Sequence, residues 1–379
     1  MTSKLKTLIP VLIFSLLPTL VVWLPFFLRI QNFWSIPLPQ TGMETIVANY
    51  DGPLYLVVAK TFYNAAQISQ NFAFSLPIQY YAAHFPLFPL LIRALAEVTH
   101  LVYPYAMLAV TVSTSTLAIY FFYKLIRQYS NESQALWLTF IFSVFPARWL
   151  IVRSVGSPEP LFVGSIIASI YYFQNKKYLK AGIWGAVAQA TKSPAILLFA
   201  AYFLIIGSSA IRKSFKKLEI KAYPIFLIPL SLLGVFFIYQ KTFNNFFAYF
   251  SSGDNIHLFF PPFQIFNYSA PWVGTFWLEE IIFIYLFGVL GLLQLIKQKE
   301  TVLAWCVAIF FVSTIFVSHR DLMRYSLPIF PFLIVAFRDF LVKREFKLAL
   351  AFILIPIYLF SLAFISQNAM AISNWSGLL

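Results

Sequence analysis

Charge is what this sequence has least of. Only 11% of its residues are charged, where a soluble domain carries about 25%. With 60% hydrophobic and 20% aromatic residues, no water-soluble fold could hide so much apolar surface. Cysteine is scarcer still. The single Cys306 lies inside an apolar run, which excludes an intramolecular disulfide and a cysteine metal cluster and leaves packing as its role. Also missing are a phosphate-cradling glycine loop, a Rossmann fingerprint and a Ser-His-Asp signature. A soluble nucleotide is therefore not the expected donor, and no cofactor is expected. His84 and His319 have no companion ligands at metal spacing, so no zinc site is expected either.

What the sequence has instead is a succession of apolar runs. Stretches such as 8–28 and 348–365 approach the roughly 20 residues needed to cross a hydrocarbon core of about 30 Å, and they recur along the chain. The first follows Lys4 and Lys6 but leads into Trp23, Pro25 and Arg29 rather than a small-residue cleavage site, so it reads as an uncleaved first helix. These patterns define an all-α polytopic membrane protein. The formal charge of +14 does not imply nucleic acid, because the basic residues sit mainly between apolar runs and no basic, aromatic-interleaved face stands outside them. That pattern is the positive-inside signal, with anionic lipid as the partner of the basic loops.

With the N-terminus in the cytoplasm, about eleven spans are expected: 8–28, 101–123, 134–152, 158–174, 179–191, 194–210, 222–242, 280–296, 302–318, 325–341 and 348–366. On this threading 18 of the 27 basic residues fall inside, including Lys216 and Lys217, and the C-terminus lies outside in a bacterial-type plasma membrane. The stretch 86–98 is apolar but short, and a full crossing there would reverse the later charged loops, so a half-inserted helix is expected. Runs 179–191 and 194–210 are short too and meet at Thr191-Lys192-Ser193-Pro194. Short helices of this kind leave a water-filled cavity above them, the setting where broken backbone is tolerated at membrane depth. An outward-facing vestibule is thus expected, roofed by outer segments 29–100 and 243–279, within one membrane domain spanning 1–379. There is no internal repeat and no low-complexity tract.

Two sets of polar residues could carry chemistry at that face. Asp51, in Asn49-Tyr50-Asp51-Gly52-Pro53-Leu54-Tyr55, reads either as a helix N-cap, since Asp before a Gly-Pro start satisfies free amides, or as a functional carboxylate. Glu159 and Asp321 also lie near helix ends on the vestibule side, where charged residues are functional candidates. The second set is basic: Arg148, Arg153, Lys192, Arg320 and Arg324 fall at outer ends of different helices. They either snorkel to headgroups or face a cavity and an anion such as phosphate, to which arginine is a bidentate donor and lysine a point charge. For His84 and His319 a structural or surface role stands beside a functional one.

Several of these segments, in order, match a known pattern. Tyr50-Asp51-Gly52 with Tyr55 and Ala59, then His84-Phe85-Pro86-Leu87-Phe88-Pro89-Leu90-Leu91-Ile92-Arg93, resemble segments of the PIG-V family of GPI mannosyltransferases, which have the GT-C fold. Ser157-Pro158-Glu159-Pro160-Leu161-Phe162, Ala190-Thr191-Lys192-Ser193 and Arg324-Tyr325-Ser326-Leu327-Pro328 resemble three further family segments. Tyr50 stands where the family usually has Trp, and Lys192 where it has Arg. The resemblance implies a GT-C-type glycosyltransferase moving a sugar, mannose in that family, from a polyprenyl-phosphate donor to a lipid, glycan or protein acceptor on the outer face with inversion. It also places Asp51 as general base, with Lys192, Arg324, Glu159, His84, Tyr50 and Tyr325 around the substrates, where the outer-end cations Arg148, Arg153 and Arg320 are expected to join them. The competing reading is a polytopic transporter or lipid flippase. Such proteins tend to show inverted repeats and midplane charges, whereas the charges here cluster at outer helix ends.

Overall fold

A computed structural model describes residues 3–72, 74, 76–213, 219–267, 269–270 and 278–379. Helices follow the apolar runs closely, because a backbone inside hydrocarbon must satisfy its own hydrogen bonds. They are α1 (Ser3–Phe27), α2 (Gly52–Thr61), α3 (Leu87–Thr99), α4 (Tyr103–Ile126), α5 (Glu132–Val144), α6 (Ala147–Val152), α7 (Glu159–Gln174) and α8 (Tyr178–Thr191). After these come α9 (Ile196–Lys213), α10 (Leu227–Phe243), α11 (Leu278–Lys297), α12 (Thr301–Thr314), α13 (Leu322–Ser326), α14 (Phe330–Ala336), α15 (Arg338–Leu341) and α16 (Arg344–Gln367). Shorter helical turns and a two-residue-per-strand hairpin, Asn32–Phe33 with Ile36–Pro37, fill the connections.

Among the described residues, five helical stretches are long and apolar enough to cross a membrane: Leu8–Phe27, Tyr103–Ile126, Ile220–Phe243, Leu278–Lys297 and Arg344–Gln367. Leu8, Leu12, Leu16 and Leu20 of α1 are exposed, as are Ile282, Phe283, Leu286 and Phe287 of α11. Stripes of this kind are stable against lipid tails and not against water. The chain is a multi-pass integral membrane protein. Its inner helices pack through small residues. A Cβ on Gly164 would stand 2.9 Å from the Cβ of Ala118, and one on Gly182 would stand 2.0 Å from the carbonyl oxygen of Pro224. Such contacts let α7 and α8 approach their neighbours backbone to backbone, as small residues do in membranes.

Two expected spans are broken rather than continuous. The run 134–152 divides into α5 and α6 at Pro146, and 325–341 divides into α13 and α14 at Pro328 and into α14 and α15 at Phe337. Proline removes the amide donor and crowds the preceding turn, so the first two breaks fall where the sequence puts the ring. The run 222–242 begins as a 3-10 turn, Ile220–Phe226, before α10. Lys216 and Lys217 of the expected inner loop lie outside the described residues. Past α16, the chain returns to the first long loop. Met370 N–H donates to Ala48 O at 2.7 Å, and Tyr50 N–H donates to Asn368 O at 3.2 Å. Asn49 and Ala369 form an antiparallel bridge, and the Asn49 side-chain amide donates to Ile365 O at 2.8 Å.

Candidate active site

The Asp51 turn is shaped by its neighbours. Tyr50 adopts a left-handed backbone, φ 51°. At Gly52 a Cβ would sit 2.4 Å from Val47 O. Asp51 occupies the N-cap position of α2, and its carbonyl accepts from Leu54 and Tyr55 at 2.9 and 3.1 Å. Its side chain makes no capping hydrogen bond. The capping reading therefore fails for the carboxylate, which instead points to Arg324, with Oδ2 3.9 Å from a guanidinium nitrogen.

Around it, three chain segments converge on Glu159, the first residue of α7. Lys192 Nζ donates to Glu159 Oε1 at 2.7 Å, Arg324 Nε donates to the same oxygen at 2.5 Å, and Ser157 Oγ hydrogen-bonds Oε2. Lys192 reaches this point because α8 ends there in extended backbone, φ −153° and ψ 141°, and a Ser193–Ala195 turn restarts the chain. Exposure of the side chains grades outward, from 2% at Glu159 through 16% at Arg324 and 26% at Lys192 to 38% at Asp51. The cluster thus opens to solvent at Asp51.

A second ion pair stands beside the first. Arg148 on α6 grips Asp321 with both forks of its guanidinium, the Nε contact measuring 2.8 Å. Its Cζ lies 3.7 Å from the ring centre of Phe364 on α16 and 4.7 Å from that of Tyr50. Arg324 Cζ lies 4.7 Å from the Tyr50 ring as well. One aromatic ring joins the two charge systems, a contribution of about 0.5–2 kcal/mol for each cation. Asp321 N–H donates to His319 Nδ1 at 2.9 Å. Burial first, and then His257, Arg324, Arg320 and Arg148, lower the His319 pKa to about 3, so the ring is neutral. Tyr325 lies 5.4 Å from His319 and 5.8 Å from His257, ring centre to ring centre.

Most of the expected site residues meet here, but not in the expected balance. Lys192 and Arg324 face Glu159, and Arg148 faces Asp321, so the anticipated pool of positive charge is largely neutralised by carboxylates. Arg320 is exposed, with no ion pair among the described residues. Arg153 does not join the cluster. It is fully buried and donates to Ser143 O at 2.6 Å and to Ser15 O, capping the carboxyl end of α5 and tying it to α1. His84 stands behind the site rather than in it. It is buried against the Tyr55 ring at 4.7 Å, its pKa is lowered by that burial, and its carbonyl accepts from Tyr63 Oη at 2.6 Å. Among the described residues, no three His, Cys, Asp or Glu side chains gather as a metal set. The Tyr50 bridge and the part played by Phe364 escape sequence reading, since nothing in the pattern of an apolar helix marks one phenylalanine from the next.

No protein-family model matches the chain, and no curated protein does. Solved structures do. ArnT from Cupriavidus metallidurans bound to undecaprenyl phosphate superposes with a TM-score of 0.57 at 11% identity, covering 89% of this chain and 62% of that one. The same protein in its apo state gives 0.55 at 13% identity, covering 89% and 61%. The chain spans about six-tenths of the length of those structures. At such identity the likeness shows the fold, which is of the GT-C type expected from the motifs.

Proposed function

We propose that this chain is a glycosyltransferase that takes a sugar from a polyprenyl-phosphate carrier. The observation that carries this reading is the Asp51 carboxylate: it caps nothing, lies open to solvent, and stands beside an Arg324–Glu159–Lys192 cluster on a fold shared with a protein that binds undecaprenyl phosphate. An acceptor hydroxyl is a weak nucleophile at neutral pH, and a carboxylate within reach takes its proton as the bond to the anomeric carbon forms. The bond from that carbon to the phosphate oxygen breaks, its electron pair leaves with the polyprenyl phosphate, and the configuration inverts. Negative charge grows on the departing phosphate, and Lys192, Arg324 and Arg320 are the cations placed to meet it. Glu159 is committed to Lys192, Arg324 and Ser157, which makes it the organiser of those cations rather than a second base.

The motif resemblance extends this reading to mannose as the sugar and to a lipid, glycan or protein acceptor on the outer face. The charge asymmetry of the loops supports an N-terminus inside and a site outside. Incubation of the purified protein with radiolabelled polyprenyl-phosphate mannose and membrane lipids is expected to yield a labelled product stable to mild acid. Movement of label across vesicles without a new glycosidic bond would instead show a transporter. A cysteine at Ser373 is expected to react with a membrane-impermeant reagent in intact cells and one at Lys176 is not; the reverse pattern inverts the topology.

A further inference from the structure

We propose that residues 244–267 dock into the lipid leaflet on the Asp51 side of the membrane, so that the candidate site stands beside the bilayer edge. This inference assumes nothing about the reaction. The segment carries seven phenylalanines and a single charged residue, Asp254, with no lysine or arginine. Loops that face water rarely gather so many phenylalanines. Phe260 is 87% exposed, Leu258 61% and Phe250 59%. On a water-facing surface, exposed apolar groups gathered into a patch mark an interaction site.

The partner follows from where the segment is rooted. At its start, Phe246 packs on Phe236 and Phe237 of α10 with ring centres 5.4 and 5.3 Å apart, and Phe250 lies 6.1 Å from Phe236. Phe237 is itself 60% exposed on the outward face of a helix long enough to cross the membrane. At its end, Phe263 N–H donates to Ile315 O at 2.8 Å, and the Phe263 ring sits 5.8 Å from Tyr285 of α11. That helix exposes Ile282 and Phe283 in the same way. Both feet of the segment therefore continue lipid-facing surfaces, and aromatic rings are the side chains that settle at the boundary of headgroups and acyl chains. Between the feet, Tyr249 shares a 2.8 Å hydroxyl hydrogen bond with Ser193, next to Lys192, and the His257 ring lies 4.3 Å from His319. The segment thus spans from one lipid face to the other across the candidate site. With no cation in it, its attachment rests on apolar burial and not on attraction to anionic lipid.

The test places single cysteines at Phe247, Phe260 and, as control, Ser373, each carrying a polarity-sensitive dye; Cys306 is fully buried and stays unlabelled. In phosphatidylcholine vesicles, lipids spin-labelled near the headgroup are expected to quench the dyes at 247 and 260 several-fold more than the control. Iodide is expected to do the opposite, and added anionic lipid or salt to change neither. The unsubstituted chain, photolabelled with a membrane-dissolved diazirine, is expected to carry adducts within 244–267. Iodide quenching at 247 and 260 equal to the control, with no adducts in the native segment, overturns the proposal. So does protection from both quenchers with energy transfer between labelled copies, which would assign the surface to a second chain.

Discussion

Arg324 and Glu159 lie 165 positions apart in sequence and meet at 2.5 Å, with Lys192 sharing the same carboxylate oxygen at 2.7 Å. The carboxylate is almost wholly buried, so its negative charge is what makes two converging cations tolerable. Glu159→Gln keeps the volume and leaves those cations facing a neutral amide. Removing one partner of a buried pair costs about 3–5 kcal/mol; with Lys192 and Arg324 partly open to solvent, the lower end is expected. The variant should show a clearly reduced thermal midpoint in detergent, and an unchanged midpoint would mean that water already screens the cluster.

Asp51 behaves in the opposite sense. Its side chain holds no part of α2 together, so Asp51→Asn and Asp51→Ala should both lose less stability than the ~1 kcal/mol usual for a helix cap. Transfer by Asp51→Asn should fall by about 100-fold to 10,000-fold if the carboxylate takes the acceptor's proton. Turnover within a few-fold of the unsubstituted protein, at equal yield and equal donor affinity, would remove Asp51 as the base.

Two glycines near this turn should respond differently to the same change. At Gly52 the added methyl meets Val47 O at 2.4 Å, a backbone atom that cannot step aside. At Gly156 the nearest obstacle, at 2.2 Å, is the terminal methyl of Met107, a flexible side chain. Gly52→Ala should cost about 1–3 kcal/mol, the usual range for overpacking, and should displace Asp51 enough to depress activity. Gly156→Ala should cost visibly less. Equal losses of thermal midpoint would show that Met107 is as rigid as the backbone.

His319 makes a prediction in pH. An unfolded histidine titrates near 6.5, whereas burial lowers His319 to about 3 in the folded protein. Between those values the unfolded chain binds a proton that the native chain refuses, so the stability His319 contributes is complete above about pH 6.5 and is lost as pH falls toward 3. His319→Asn keeps an acceptor for Asp321 N–H and does not titrate there. A thermal midpoint that declines between pH 7 and pH 4.5 should decline less in this variant, and parallel curves would locate the titration elsewhere.

The helices themselves are legible because the bilayer permits one solution to a long apolar run, and the proline breaks are legible in principle from Pro146 and Pro328. The apolar stretch 86–98, expected to be half-inserted, forms the 13-residue helix α3, which carries Arg93 and Glu97 within its length. Pairing among charges is less legible. Five cations at one level suggest an anion, and only the folded chain reveals that Glu159 and Asp321 already face three of them. Arg153 shares their position in sequence, yet its side chain turns inward to two carbonyls, a choice made by local packing that no linear pattern records.

The backbone clasp between residues 48–50 and 368–370 has a consequence for the order of biogenesis. Helices emerging from the ribosome enter the membrane one after another, so the Asp51 turn is synthesised early and waits, unbraced, while most of the chain is made. Tyr50 receives its partner from Asn368 only after α16 has been threaded, which is also when Phe364 arrives beneath Arg148. A chain stalled before that helix would hold a nearly complete bundle around an unformed candidate site, which would be completed in one late step.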